Sequence, residues 1–283
     1  MSAIQLVSEH ACYGGMQQFY KHDSRETRGP MKFSVYKPPQ AKSGKVPVLY
    51  YLAGLTCTDE TFPTKAHAQA VAAELGLMLI APDTSPREPR IPGDADNWDF
   101  GQGAGFYVDA TQAPWSANYR MYSYVTRELP ELVAANLPAL PGVTGIFGHS
   151  MGGHGALTIA LRNPAQYKSL SAFAPIGAPM LAPWGQKAFT NYLGPDRETW
   201  REHDASELVA RAAFPGHILI DQGTADQFFA QHQLLPEKFS AAAAKSGQKL
   251  TLRMQQGYDH GYYFIQTFMA DHLRHHAKIL NAR

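Results

Sequence analysis

Gly148, His149, Ser150, Met151 and Gly152 form a GxSxG pentapeptide between a short apolar run, residues 143–147, and a helix-forming stretch, residues 151–161. Few folds accommodate such a joint. A serine on a tight turn between strand and helix takes a strained backbone that lifts its hydroxyl out of the sheet, and only very small neighbours fit around it. Gly148 and Gly152 supply that room. The first run is β-branched and aromatic, interrupted by Gly145, whereas the second is rich in Ala, Leu and Ile and stops at Arg162, Asn163 and Pro164. Serine is also a common helix N-cap, but the flanking glycines favour a nucleophile elbow with Ser150 as nucleophile.

The rest of the chain repeats the same rhythm. The first 40 residues read as edge strands, with Gly14 and Gly15 as a turn and 31–36 alternating before Pro38 and Pro39. Residues 46–53 then read as a buried strand, 66–75 as a helix stopped by Gly76, and 77–81 as a strand ending at Pro82 and Asp83. Helices are expected at 122–137, 151–161, 227–245 and 262–279, and strands at 143–147, 169–174, 217–220 and 250–254. This is the βαβ pattern of a mostly parallel sheet flanked by helices, an α/β class of fold. Two stretches break it, 84–118 and 176–200. Loops of that length are usually functional, and both are expected over the carboxyl ends of the strands, where open α/β sheets bind ligands. No linker is visible, so one domain is expected over residues 1–283.

Composition narrows the function. The formal net charge is +1 and no run of Lys and Arg occurs, so nothing points to nucleic acid or an anionic membrane. A small-molecule substrate is the better expectation. Residues 1–18 lack a basic start followed by an apolar block, and no run of about 18 apolar residues occurs, so a cytoplasmic protein is expected. The two cysteines, Cys12 and Cys57, are expected to stay thiols in a reducing compartment.

A serine hydroxyl needs a base, and the base needs an acid that fixes its tautomer. In α/β-hydrolases the chain order is Ser, Asp or Glu, then His. Four of the twelve histidines follow Leu250: His260, His272, His275 and His276. The last three share a helix-like stretch with Asp271, Arg274 and Lys278 and read as a solvated face; their spacing could hold a metal, but no Cys or Glu cluster supports that. His260 follows the last strand on a loop, the place for a catalytic base. For the acid, Asp226 on the loop past Gly223 is preferred to Asp221, which continues the strand, and to Asp259, which is adjacent to His260 and diverges from it. The oxyanion would be held by the backbone N–H groups of Met151, after the nucleophile, and of Leu55, in the loop after an early strand. The residues alone support a serine hydrolase acting on a small acyl ester or thioester.

Longer strings say more. Residues 52–58 (LAGLTCT), 81–87 (APDTSPR), 98–111 (WDFGQGAGFYVDAT), 118–126 (NYRMYSYVT), 146–157 (IFGHSMGGHGAL) and 257–265 (GYDHGYYFI) closely resemble S-formylglutathione hydrolases, also called esterase D. The resemblance runs from Gly14 nearly to the C-terminus and implies an α/β-hydrolase fold, with Ser150, Asp226 and His260 matching the family triad and Leu55 and Met151 the oxyanion donors. It implies hydrolysis of S-formylglutathione to glutathione and formate in formaldehyde disposal, with no metal or organic cofactor, and by analogy a homodimer. Gly261 stands where relatives often carry serine. Cys57 is expected as a thiol beside the site. Trp98, Phe100, Phe106 and Tyr107 are candidates for walling a narrow acyl pocket, Trp98 first. Two other classes share the fold. An acyltransferase resembling the mycolyl transferases would differ in its acceptor, and a non-enzymatic binding module would usually have lost a triad member.

Overall fold

The computed structural model describes residues 3–282. Its centre is a nine-stranded sheet made of β1 (Gln5–Cys12), β2 (Gly15–Ser24), β3 (Gly29–Lys37), β4 (Val46–Leu52), β5 (Met78–Pro82), β6 (Ala139–His149), β7 (Ser169–Phe173), β8 (Ile218–Gly223) and β9 (Leu250–Gln255). Their spatial order is β1-β2-β3-β5-β4-β6-β7-β8-β9. Strands β4 to β9 pair in parallel, and β1 to β3 add an antiparallel wing joined to β5. With helices beside it, this is the α/β-hydrolase architecture expected from the alternation.

Strand β4 is buried along its whole length, as its unbroken apolar run VPVLYYL requires of a strand covered on both faces. The chain enters the parallel part of the sheet there, steps to β5 on one side, and returns to lay β6 on the other. The strand order therefore reverses at β4 and β6, which opens a crevice beyond their carboxyl ends. Ser150 follows β6, and the loop carrying Leu55 follows β4.

Local details differ from expectation for identifiable reasons. The first hairpin turns at Tyr13 (φ 47°) and Gly14 (φ 73°), with Gly15 already paired to Cys12. Positive φ at both central residues matches the twist of a two-residue hairpin. Strand β6 begins four residues earlier than the apolar run, because Ala139 already pairs with Val46 and the register shift between Val46 and Val48 absorbs residues 140–143. The expected helix at 227–245 is two pieces, Gln227–Ala230 and Pro236–Ser246. Pro236 cannot continue a helix but starts one well. Within 176–200 the structure forms a helix, Pro183–Leu193, bracketed by proline at its start and Gly194 past its end. The stretch 84–118 is irregular apart from one short turn, and Asp94 organises part of it by accepting from Arg90 Nε, Ile91 N–H and Gln102 Nε2.

The largest correction concerns the last helix, Tyr262–Leu280. His272 and His276 are fully buried against the sheet, not solvated, and His275 is half-buried with Nε2 near the Leu170 carbonyl at 3.1 Å. An i, i+4 pair of histidines looks polar in sequence but lies on the same stripe as Ile265, Met269 and Leu273. Their nitrogens are satisfied by a chain of bonds whose direction can be worked out. Burial pushes the His272 pKa down, so the ring is neutral, and its Nε2–H donates to Asp221 (3.0 Å). Its Nδ1 then accepts from the Ser171 hydroxyl (2.8 Å); Ser171 accepts from His276 Nε2–H (2.8 Å); and His276 Nδ1 accepts from the Ser169 hydroxyl (2.6 Å). Gly145 interrupts the β6 run because a Cβ there would sit 2.3 Å from Ser169 Oγ and 3.0 Å from His276 Nδ1.

Asp221 anchors this chain and also receives Arg253 Nε (2.7 Å) and Gln255 Nε2 (2.8 Å). Burial works against its carboxylate, yet the bonds from His272, Arg253 and Gln255 outweigh burial and hold its pKa at about 2. The stability this contributes is complete above the unfolded carboxylate value of ~3.9 and is lost as pH falls through the folded value. Asp221→Asn should therefore cost about 3 kcal/mol at pH 7 in urea titrations. The gap between parent and variant should close between pH 4 and pH 2. A gap that stays constant with pH would remove the carboxylate charge from this account.

Candidate active site

Strand β6 ends at His149, and helix Met151–Arg162 begins two residues on, with Ser150 alone between them. Ser150 makes the turn with φ 58° and ψ −119°, a region rarely occupied by residues with side chains. Three bonds pin it: its N–H donates to the Phe173 carbonyl at the end of β7 (2.9 Å), and its own carbonyl accepts from His154 N–H (3.0 Å) and Ile176 N–H (3.3 Å). The helix then passes so close to β4 that a Cβ on Gly152 would lie 1.9 Å from the Leu52 carbonyl oxygen, and one on Gly148 would lie 2.2 Å from the Gly152 carbonyl. Glycine at both positions is thus a packing requirement of the turn.

His260 sits on the loop between β9 and the last helix, and its Nδ1 lies 2.6 Å from Asp226 Oδ2. Asp226 is buried and divides its two oxygens. Oδ1 caps helix Gln227–Ala230 by accepting from Phe228 N–H (2.8 Å) and Phe229 N–H (3.3 Å), while Oδ2 takes His260 and Gln222 Nε2 (3.0 Å). The N-cap role and the role of partner to histidine are thus both filled by one side chain. Burial would raise its pKa, but the bonds from His260, Gln222 and Phe228 N–H prevail and lower it, so the carboxylate stays charged. With Nδ1–H donated to that carboxylate, His260 Nε2 is left as an acceptor. Asp221 lies in the separate network with His272, and Asp259 bonds only the Gly261 N–H (2.9 Å), so neither serves His260.

Ser150 and His260 line one cavity of about 190 Å³, together with Leu55, Cys57, Trp184 and Phe228 among others. Neither Leu55 N–H nor Met151 N–H is taken up by another described residue, and Met151 opens the helix whose N-terminus faces this joint. Two orphan donors beside a serine suit an oxyanion. The loop bearing Leu55 is braced from behind. Tyr107 hydroxyl donates to the Ala53 carbonyl (3.0 Å), and Thr56 N–H donates to the Gly103 carbonyl (2.9 Å).

Of the four aromatics expected around the acyl pocket, Trp98 lines the cavity, though it is 55% exposed. Phe100, Phe106 and Tyr107 do not line it. Phe100 stacks on Tyr192 at 4.6 Å, and Phe106 and Tyr107 are buried beneath the loops, where the packed core claims rigid aromatics for itself. The wall is instead Trp184, 6% exposed, which meets Trp98 edge-on at 5.6 Å and Phe228 at 4.7 Å. Trp184 lies in the flagged stretch 176–200, and Phe228 and Tyr262 each follow a candidate triad member by two residues. Proximity to Asp226 and His260 was the available signal for those two. His149 was also missed; its buried ring lies 4.4 Å from that of His260, and burial followed by that neighbour drives its pKa well down.

Cys57 lines the cavity with its Sγ 3.9 Å from Tyr262 Oη, and both cysteines are free thiols. Among the described residues no group of three His, Cys, Asp or Glu is placed to hold a metal ion. No helix among them is long and apolar enough to cross a membrane.

The family model described as putative esterase matches residues 24–275. The S-formylglutathione hydrolase of Mus musculus is 56% identical over 283 residues, covering 99% of this chain and all of the relative. That of Paracoccus denitrificans is 54% identical, covering 98% and 99%. The solved structure of an S-formylglutathione hydrolase from Agrobacterium tumefaciens superposes with a TM-score of 0.95 at 50% identity, covering 98% and 99% of the two chains. The chain belongs to the S-formylglutathione hydrolase family. Within that family's fold, the crevice at β4 and β6 holds the serine, the histidine and the buried aspartate in the chain order expected of α/β-hydrolases.

Burial pushes the Cys57 thiol up, with Tyr262 and Thr61 partly opposing it, so the protonated form dominates at neutral pH. Iodoacetamide should accordingly inactivate slowly at pH 7 and faster as pH rises. Cys57→Ser should keep substantial activity and resist the reagent. Equal sensitivity in that variant would move the modified group elsewhere.

Proposed function

We propose that this enzyme hydrolyses S-formylglutathione to glutathione and formate, with Ser150, His260 and Asp226 as one catalytic unit. The observation that carries the reading is the 2.6 Å contact between His260 Nδ1 and the buried Asp226 carboxylate, at a cavity that Ser150 also lines. Ser150 Oγ attacks the formyl carbon while His260 Nε2 takes its proton, and Asp226 stabilises the imidazolium. The carbonyl oxygen becomes an oxyanion held by Leu55 and Met151 N–H. Collapse breaks the carbon–sulfur bond, and the proton on Nε2 passes to the departing thiolate, which releases glutathione and frees Nε2 as a base. Its thiol has a pKa near ~8.5, so it leaves far more readily than an alkoxide, and proton donation by His260 matters less than in ester cleavage. Water then gives a proton to Nε2 and attacks the formyl-serine. Collapse of that second intermediate releases formate and returns the proton to Ser150. The same groups suit small aryl acetates.

Two coarser points complete the proposal. Two free thiols fit a reducing compartment, which supports a cytoplasmic enzyme. One continuous sheet carries Leu55, Ser150, Asp226 and His260 at or beyond its strand ends, which supports a single domain.

Side-by-side hydrolysis of S-formylglutathione and an aryl acetate tests the substrate class. Ser150→Ala and His260→Ala should each cost a large factor and the double variant little more, because such groups act as a unit. Asp226→Asn should be severe in kcat, whereas Asp221→Asn should act mainly on stability. Additive losses for Ser150 and His260 would break up the unit.

The narrow cavity should also grade acyl donors. From formyl to acetyl, propionyl and butyryl thioesters, kcat/KM should fall by about tenfold or more per methylene, the scale of roughly 1–3 kcal/mol. Trp184→Ala should flatten the series by raising activity on the longer chains, and Trp98→Ala should do so more weakly. A parallel loss on all four donors would assign these tryptophans to the fold and not to the acyl wall.

A further inference from the structure

At about 190 Å³, the cavity around Ser150 is smaller than the 300–1,000 Å³ usual for ligand pockets. It can take an acyl group and a sulfur but not a whole tripeptide, so most of the thiol must lie elsewhere. The loop after β4 separates it from a second cavity of about 360 Å³. Residues 54–57 line the first, and residues 58–60 line the second together with Lys21, Lys32, Asp83, Ser85 and Arg87.

The charges in this second cavity do not satisfy one another. Arg87 and Asp83 do, through bonds of 2.7 and 3.2 Å, with Arg87 also bonding the Cys57 carbonyl (2.9 Å). Asp59, however, is 3% exposed, and its carboxylate makes no hydrogen bond or ion pair with any other described residue. Lys21 and Lys32 stand directly opposite each other in the β2–β3 ladder, and neither has an acidic partner among the described residues. Like charges placed so repel. The cavity thus presents the buried Asp59 carboxylate and a facing pair of ammonium groups, with Glu60 and Glu88 also on its lining and Lys32 already acting on Asp59 through space.

We propose that this cavity binds the α-amino acid head of the γ-glutamyl group, its ammonium on Asp59 and its carboxylate between Lys21 and Lys32. The assignment rests on the reading that S-formylglutathione is the substrate. The glycyl end of that thiol fits less well, since it carries a carboxylate but no ammonium and would leave Asp59 unpaired. Asp83 follows β5, two strand spacings or about 10 Å from β6, which carries Ser150, while Lys32 on β3 and Lys21 on β2 lie three and four spacings away, about 14 and 19 Å, so the lysine side chains must reach back toward the sulfur. Seven bonds join the sulfur to the γ-glutamyl α-carbon, roughly 9 Å when extended. Burial, then Asp83 and Glu60, push the Asp59 pKa up to about 6 against the weaker opposing pull of Lys32 and its own N–H, and a bound ammonium would add to that pull.

The test compares S-formylglutathione with its N-acetyl derivative, which keeps the thioester and both carboxylates but loses the ammonium. The parent should favour the free amine by at least about tenfold in kcat/KM, mostly through KM, the size of one charge-assisted hydrogen bond. Asp59→Asn should erase that preference when each rate is normalised to 1-naphthyl acetate hydrolysis. Lys21→Met/Lys32→Met should raise KM for both thioesters. A parent indifferent to acetylation overturns the proposal, as does an Asp59→Asn enzyme that keeps the preference. If Asp59→Asn fails to fold, the parent's comparison of the two thioesters decides alone. A parent that cleaves neither thioester faster than the aryl ester would instead sink the substrate reading, and this assignment with it.

Discussion

The close approach of the helix after Ser150 to strand β4 is the constraint on which the site depends. With no Cβ at Gly152, the helix can lie against the Leu52 carbonyl, and that contact brings the end of β6 beside the loop after β4. The proposed nucleophile and oxyanion donors come from these two strands, which are adjacent in space but far apart in sequence. Substituting either glycine of the pentapeptide would push the elbow off the strand before it changed any chemistry. The unfavourable backbone of Ser150 is tolerated because β7 and the helix hold it from both sides.

Around that frame, two aspartates at the end of β8 show how partners decide a role. Asp221 and Asp226 are both buried, both ionised and both bonded to a histidine. Asp221 also faces an arginine and a histidine that is itself locked to Ser171, so its charge is spent on joining β8, β9 and the last helix. Asp226 meets neutral donors and a histidine whose second nitrogen is unengaged by the protein. The same carboxylate is structural in one place and poised for proton transfer in the other.

The sequence made the fold and the proposed triad legible because both depend on short, local signals. The glycines around Ser150, the loop position of His260 after the last strand and the offset of Asp226 past Gly223 each reflect a local backbone need. What it hid was context. The C-terminal histidines looked solvent-facing, since nothing local reveals that Ser169 and Ser171 wait across the sheet. Three of four aromatics in 84–118 were absorbed by packing, while Trp184 entered the cavity from a separate helix. Side chains that meet only through tertiary structure leave no periodic trace, and the pocket wall is made largely of such residues.

The buried hydrogen-bond chain from Asp221 to Ser169 bears on the base itself. His260 sits only two residues ahead of the helix that carries His272 and His276. That helix is held to the sheet by Phe264 and Ile265 in its first turn and by the two histidines further along, and it fixes the loop that carries the imidazole just ahead of it. Every proton in the clamp has one direction, set by a single carboxylate, and the helix cannot slip by a turn without breaking all four bonds to the sheet. The histidine is aimed by groups that never approach the substrate.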